Sequence, residues 1–205
     1  MTLVETFVRA DRAITAAIAS TADAPPSARV GPVFATEPAD GVPLSAALAH
    51  VARDEAWIPA QLAGRTMAEV GPEAFDGDLL GDDPAGAFAR LAALAQDAAG
   101  AVTDLGATVH GSFGDCPTEE YLWQLVVART LSAEALAVVG GGLVRGGRSA
   151  VDDDLAAAVV AGLAPRADLW RQVGILRPPL VATGPSPRDE LAALAGWAGA
   201  APRPT

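Results

Sequence analysis

Apolar side chains at Leu3, Phe7, Val8, Ile14 and Ile18 recur near the helical period, with acids and arginines between them. That spacing predicts a first amphipathic helix over about residues 3–19. The following stretch, STADAPPSARVGPVFATEPADGVP, is rich in proline and small residues and predicts a loop or extended connector. Pro43, a residue suited to the first turn of a helix, opens a second helix through about Leu62. Its segment HVARDEAW is expected to bury His50 on the apolar face. GRTMAEVGPEAFDGDLLGDDP predicts a long irregular crossover. A third helix follows from about Pro84 to Ala99, its stripe formed by Phe88, Leu91, Leu94 and Ala95. GATVHGSFGDCP is short and compatible with extended backbone. Thr118 is the expected cap of a fourth helix, with Glu119 and Glu120 in the first turn where the helix dipole favours acids. That helix stops at the glycine run Gly140–Gly142. Beyond it, RSAVDDDLAAAVVAGLAPRADLWRQVG predicts a helix, a break at Pro165 and a short second helix, and a last short helix covers about Arg188–Trp197.

Four long helices and a helical tail make the expected fold all-α, a four-helix bundle with long connections and a short helical C-terminal tail. Residues 1–146 form the bundle in this reading, and 147–205 a helical extension packed on it as one structural unit. No internal repeat and no block of like charge interrupts the pattern.

Composition narrows the function classes. Half of the chain is apolar (51 %) but only 5 % is aromatic, so alanine carries much of the helical pattern. Lysine and asparagine are absent and every basic side chain is an arginine, as expected of GC-rich coding DNA. A net charge of −11 disfavours nucleic acid and anionic membrane surfaces as partners. The single cysteine, Cys116, rules out an internal disulfide and any multi-cysteine metal site, which suits a reducing compartment. MTLVETFVRADRAITAAIA has neither a basic n-region nor a long apolar run, so it reads as neither a signal peptide nor a membrane span. The expectation is a cytoplasmic protein, monomer or homodimer, whose partner is a small-molecule substrate or ligand.

WIPAQLAGRTMAEVG, FDGDLLGDDP, TVHGSFGDCPTEEYLWQL and APRADLW resemble the DinB-like, mycothiol-dependent maleylpyruvate isomerase superfamily, in particular its stand-alone actinobacterial metal-binding branch. The likeness runs from about His50 onward. Ahead of it, the Thr-Pro-Cys and tryptophan features of the family are missing, and Val42 stands near the tryptophan position. The resemblance implies a DinB-like bundle around one divalent metal held by three residues. His50 matches the histidine of the second helix. The ungapped register of EEYLWQL puts Ala128 where the family has an acid, Ser132 where it has the second histidine, and Ala135 where an aspartate often follows. One imidazole without a carboxylate would release a divalent ion into water, so no metal is expected.

Decay into a scaffold and a cavity turned to another use both fit this loss. In the second case the ligand geometry of the family implies that His50 and Ser132 approach one another. Asp54, one helical turn after His50, would orient the imidazole. Ser132, His50 and Asp54 are therefore the catalytic candidates, as an activated hydroxyl or with His50 acting alone as a base near neutral pH. A structural histidine explains His50 equally well. Trp57, Tyr121 and Ala128 are candidates for the pocket wall, with core packing the commoner use of such aromatics. Arg65 would meet an anionic substrate or pair with a nearby acid, and His110 would line the mouth or brace its loop. Cys116, beside a helix start where a thiolate is stabilised, reads as incidental. GGGLVRGGRS lacks phosphate-loop spacing and reads as a flexible connector. The resulting expectation is a metal-independent small-molecule enzyme of secondary metabolism, catalysing isomerisation, cyclisation, dehydration or thiol-linked transfer. It needs no cofactor, although the resemblance leaves mycothiol open. The alternative is a non-catalytic small-molecule-binding pseudoenzyme.

Overall fold

A computed structural model describes residues 1–112, 114–141 and 149–199. The chain is all-α, with eight helices and two small antiparallel strand pairs among these residues. Helix α1 (Leu3–Ser20) starts with a reciprocal cap between Thr2 and Glu5, and α2 (Leu44–Leu62) follows the proline-rich connector. That connector is not structureless. Arg29–Val30 (β1) pairs with Val42–Pro43 (β2), and Gly41 turns with φ 70° where a Cβ would strike the Val30 carbonyl. The expected irregular crossover likewise contains a four-residue helix, α3 (Met67–Val70), with a Thr66–Glu69 capping box.

Helix α4 (Pro84–Gly100) is capped by Asp83, whose carboxylate accepts from Gly86 N at 2.9 Å. Its buried stripe is Ala87, Phe88, Ala92, Ala95 and Ala99, and Leu94 is 59 % exposed. The chain meets the core here through alanine, and Leu94 falls on the outer side. GATVHGSFGDCP supplies β3 (Thr108–Gly111) and β4 (Gly114–Pro117), paired in register with His110 opposite Asp115. Pro117, not Thr118, is the N-cap of α5 (Thr118–Val139). The Thr118 hydroxyl instead donates to Ala107 O at 2.9 Å, tying the helix start to the loop before β3.

Helix α1 packs against α5 and α4, and α4 packs against α2. α1 and α5 run parallel, with Ser20 beside Gly140 at their C-terminal ends. α2 and α5 are antiparallel, Gln61 meeting Tyr121 and Glu55 meeting Arg129. These last two helices scarcely touch at the backbone, and side chains bridge them. The long apolar α5 has the length and hydropathy of a membrane-crossing segment, but 67 % of that stretch is buried among the other helices. Its apolar surface is spent on the core.

After α5, α6 (Asp153–Leu163), α7 (Ala167–Gln172) and α8 (Pro187–Ala195) cover one side of the bundle. Leu155, Val159 and Leu163 join the same core as α1 and α5. Arg9 on α1 grips Asp152, the α6 N-cap, at 2.6 and 2.7 Å, and Glu120 on α5 accepts from Arg166 at 2.7 Å and Trp170 at 3.2 Å. The expected boundary at residue 146 and most of the GGGLVRGGRS connector lie outside the described residues.

Candidate functional site

The bridged seam between α2 and α5 opens into a cavity of about 400 Å³. That size lies within the usual range for small-molecule sites. Helix α2 contributes His50, Arg53, Asp54, Trp57 and Gln61, and α5 contributes Tyr121, Gln124, Leu125, Ala128 and Arg129. The β3–β4 hairpin closes one side with Gly111, Ser112, Gly114 and Cys116, and Met67 of α3 closes another. Five of the candidates from sequence therefore share one wall: His50, Asp54, Trp57, Tyr121 and Ala128.

Three candidates are elsewhere. Ser132, one turn beyond Ala128, is half-buried, does not line the cavity and makes no hydrogen bond to His50. Arg65 is exposed and donates to Glu69 O at 2.9 Å, closing the loop after α2. His110 faces its cross-strand partner, with Nδ1 2.8 Å from Asp115 Oδ1, and braces the hairpin. An activated-hydroxyl triad is consequently not assembled.

His50 is not buried. Its side chain is 73 % exposed, at the rim, with Nε2 3.4 Å from Asp54 Oδ2. The reason is helical phase. The buried side of α2 runs through Leu44, Leu48, Ala52, Glu55 and Ile58, and His50 stands two residues from both Leu48 and Ala52, about 200° around the axis from each. Asp54 shares that outer flank and is 54 % exposed. The flank is held in place by Arg53, paired with Asp76 at 2.8 Å, and by Phe75, packed edge-on against Trp57 at 4.9 Å.

The floor is polar and dry. Arg129 directs Nε and Nη2 at one oxygen, Glu55 Oε2, at 3.0 and 2.5 Å, and its Nε lies 3.7 Å from Asp11 Oδ1. Gln96 on α4 donates to Asp11 Oδ2 at 2.7 Å, and the Phe7 ring lies beneath the guanidinium at 5.8 Å. Among the described residues nothing accepts a hydrogen bond from Arg129 Nη1, and Arg129 itself lines the cavity. Burial opposes its charge, but Glu55 and Asp11 outweigh burial and hold the guanidinium protonated. The Tyr121 phenol donates to Gln61 Oε1, and burial pushes its pKa above the ordinary range. Burial, followed by the charges of Glu120 and Asp115, also raises the Cys116 thiol, so the helix start does not stabilise a thiolate there.

Sequence reasoning missed Asp11, Glu55, Gln61, Gln96 and Arg129. A signal was present: Asp11 sits among Phe7, Ala10 and Ile14, and Glu55 between Ala52 and Ile58, so each interrupts the apolar stripe of its own helix. The residues that the resemblance aligns with metal ligands do not fit a metal. Ala128 and Ser132 offer no carboxylate or imidazole, and among the described residues no three His, Cys, Asp or Glu side chains converge.

A larger depression, about 670 Å³, lies over α5 and α8. Its charged groups already satisfy one another: Glu134 accepts from Arg188 at 3.2 Å and from Ser149 at 2.5 Å. In comparisons with known proteins, no family model, no curated protein and no solved structure matches the chain. Fold and site together define an all-α protein with a solvent-open, polar-floored pocket between two helices.

Proposed function

We propose that the chain is a metal-independent relative of the DinB-like, mycothiol-dependent maleylpyruvate isomerase superfamily that takes a small organic molecule into the α2–α5 seam and acts on it by acid–base chemistry. The observation that carries this reading is the cavity itself. It opens where the resemblance puts the family's metal, with His50 and Ala128 on its wall. Its chemistry favours a ligand with an apolar body against Trp57, Leu125 and Met67 and an acceptor oxygen against Arg129 Nη1, the Gln124 amide and Ser112. His50 is then the proton acceptor at the mouth, with Asp54 beside Nε2 and Nδ1 free of protein partners among the described residues. Isomerisation, cyclisation or dehydration fits such a site, and thiol-linked transfer with mycothiol remains part of the proposal. A small-molecule partner and a cytoplasmic location belong to the same reading, as does a monomeric or homodimeric state.

A second reading, a binding protein without catalysis, is favoured by the exposure of the dyad. At 73 and 54 % exposed, His50 and Asp54 gain little from desolvation until a ligand covers them. Turnover of small keto and enoyl compounds in excess chelator separates the two. The enzymatic reading expects chelator-resistant turnover that falls about 10²–10⁴-fold in His50→Gln, with binding retained. Binding without turnover supports the second reading, and loss of all binding on chelation contradicts both.

A further inference from the structure

Beneath the pocket, the core encloses two carboxylates and one guanidinium. Asp11 and Glu55 have 0 % and Arg129 4 % of their side chains exposed. If every group were ionised, this cluster would carry one uncompensated negative charge in the driest part of the bundle, a costly arrangement. Its hydrogen bonds show where the imbalance lies. Both donors from Arg129 go to Glu55 Oε2, and the donor from Gln96 goes to Asp11 Oδ2. The remaining oxygens, Asp11 Oδ1 and Glu55 Oε1, are buried without any hydrogen-bond donor among the described residues.

We infer that Asp11 and Glu55 form a one-proton binding site, a single proton held between the two carboxyl groups around Arg129 making the buried triad neutral. One proton satisfies both orphaned oxygens, since the acid that holds it donates to the other. The two side chains meet at the same guanidinium nitrogen, Arg129 Nε, which lies 3.0 Å from Glu55 Oε2 and 3.7 Å from Asp11 Oδ1. Among the described residues the surroundings supply no other compensating charge. α1 supplies Asp11 and Phe7, α2 supplies Glu55, α4 supplies neutral Gln96, and α5 supplies Arg129 and the un-ionised Tyr121. Burial, then the charge of Glu55, pushes Asp11 up to about 7, consistent with this occupancy at neutral pH and below. Because Arg129 also lines the cavity, the site sets the charge of the pocket floor: neutral with the proton, −1 without it. The inference rests on the core geometry and does not require that the seam binds a ligand.

The test is unfolding as a function of pH for wild type and Asp11→Asn. The folded chain holds a proton that the unfolded chain releases above about pH 4. The stability of wild type relative to Asp11→Asn should therefore be greatest at low pH and fall as pH rises toward 7, the ratio of their unfolding constants changing by up to about tenfold per pH unit, then level off. In Asp11→Asn an amide N–H replaces the proton, and the variant lacks this contribution. Titrations common to both proteins cancel in the difference. Parallel wild-type and Asp11→Asn profiles would overturn the inference. Should the variant fail to fold, infrared spectra of the wild type decide: a protonated-carboxyl band at pH 6 that is lost toward pH 9 supports the site, and its absence at pH 6 refutes it.

Discussion

Helix α5 makes two seams, and they are built differently. Toward α1 it packs closely and mostly apolarly: Gly140 lies against Ser20, and Ala10, Ile14, Leu122, Val126 and Leu136 are buried, with the Asp11–Arg129 pair the charged exception. Toward α2 the same helix presents Tyr121, Arg129 and Ala128, and the gap is spanned by hydrogen bonds to Gln61 and Glu55 with a cavity above them. A bundle closes where small and branched apolar side chains interdigitate and stays open where buried polar groups must keep their partners' geometry. The open seam is where this fold has room for chemistry.

The largest effect is expected from cutting the polar bridge. Arg129→Met leaves the buried Asp11–Glu55 pair without its cation and should cost about 3–5 kcal/mol in denaturant unfolding. Replacing Asp11 and Glu55 by leucine as well should recover most of that loss, because an apolar triad carries no desolvation penalty. If the single variant is as stable as wild type, the bridge does not hold the seam.

Next comes the closed seam. A Cβ on Gly140 would meet the Ser20 carbonyl oxygen at 2.7 Å, so Gly140→Ala must push backbone rather than a flexible side-chain end. A cost of about 1–3 kcal/mol is expected from thermal unfolding. The smallest effect belongs to the open seam. Ala128→Leu adds volume where there is space and should change stability by no more than about 0.5 kcal/mol, in either direction, while blocking ligand entry. Equal damage from Gly140→Ala and Ala128→Leu would erase the distinction between the seams.

How much of this was legible from sequence follows from the physics of each part. The four long helices could be read because Phe7, Ile14 and Ile18, or Phe88, Leu91 and Ala95, keep the helical period between proline and glycine breaks. The β1–β2 pairing and α3 could not, since two- to four-residue elements carry no period. Leu94 misled because alanine does most of the core contact on α4, leaving a leucine on the outside. Part of the seam's lining was named from sequence: His50 and Ala128 as positions the resemblance singled out, and Asp54, Trp57 and Tyr121 by helical spacing from them. The floor was not: a lone acid or arginine on a helix usually faces water, and only the packing of α1, α2, α4 and α5 reveals that Asp11, Glu55, Gln96 and Arg129 share one buried space. The phase of His50 was misjudged because Leu48 and Ala52 flank it with apolar residues that do not share its side of α2.

The central claim, that the α2–α5 seam is the working pocket, is tested most directly by titrating small carbonyl and carboxylic compounds into isotopically labelled protein and following side-chain NH resonances. Two tryptophans divide the alternatives, since Trp57 lines the seam and Trp197 the depression over α8. The account predicts that binders shift the Trp57 indole together with the Gln61 and Gln124 amides, and that Ala128→Leu abolishes those shifts. Shifts at Trp197 with Trp57 unmoved would contradict it.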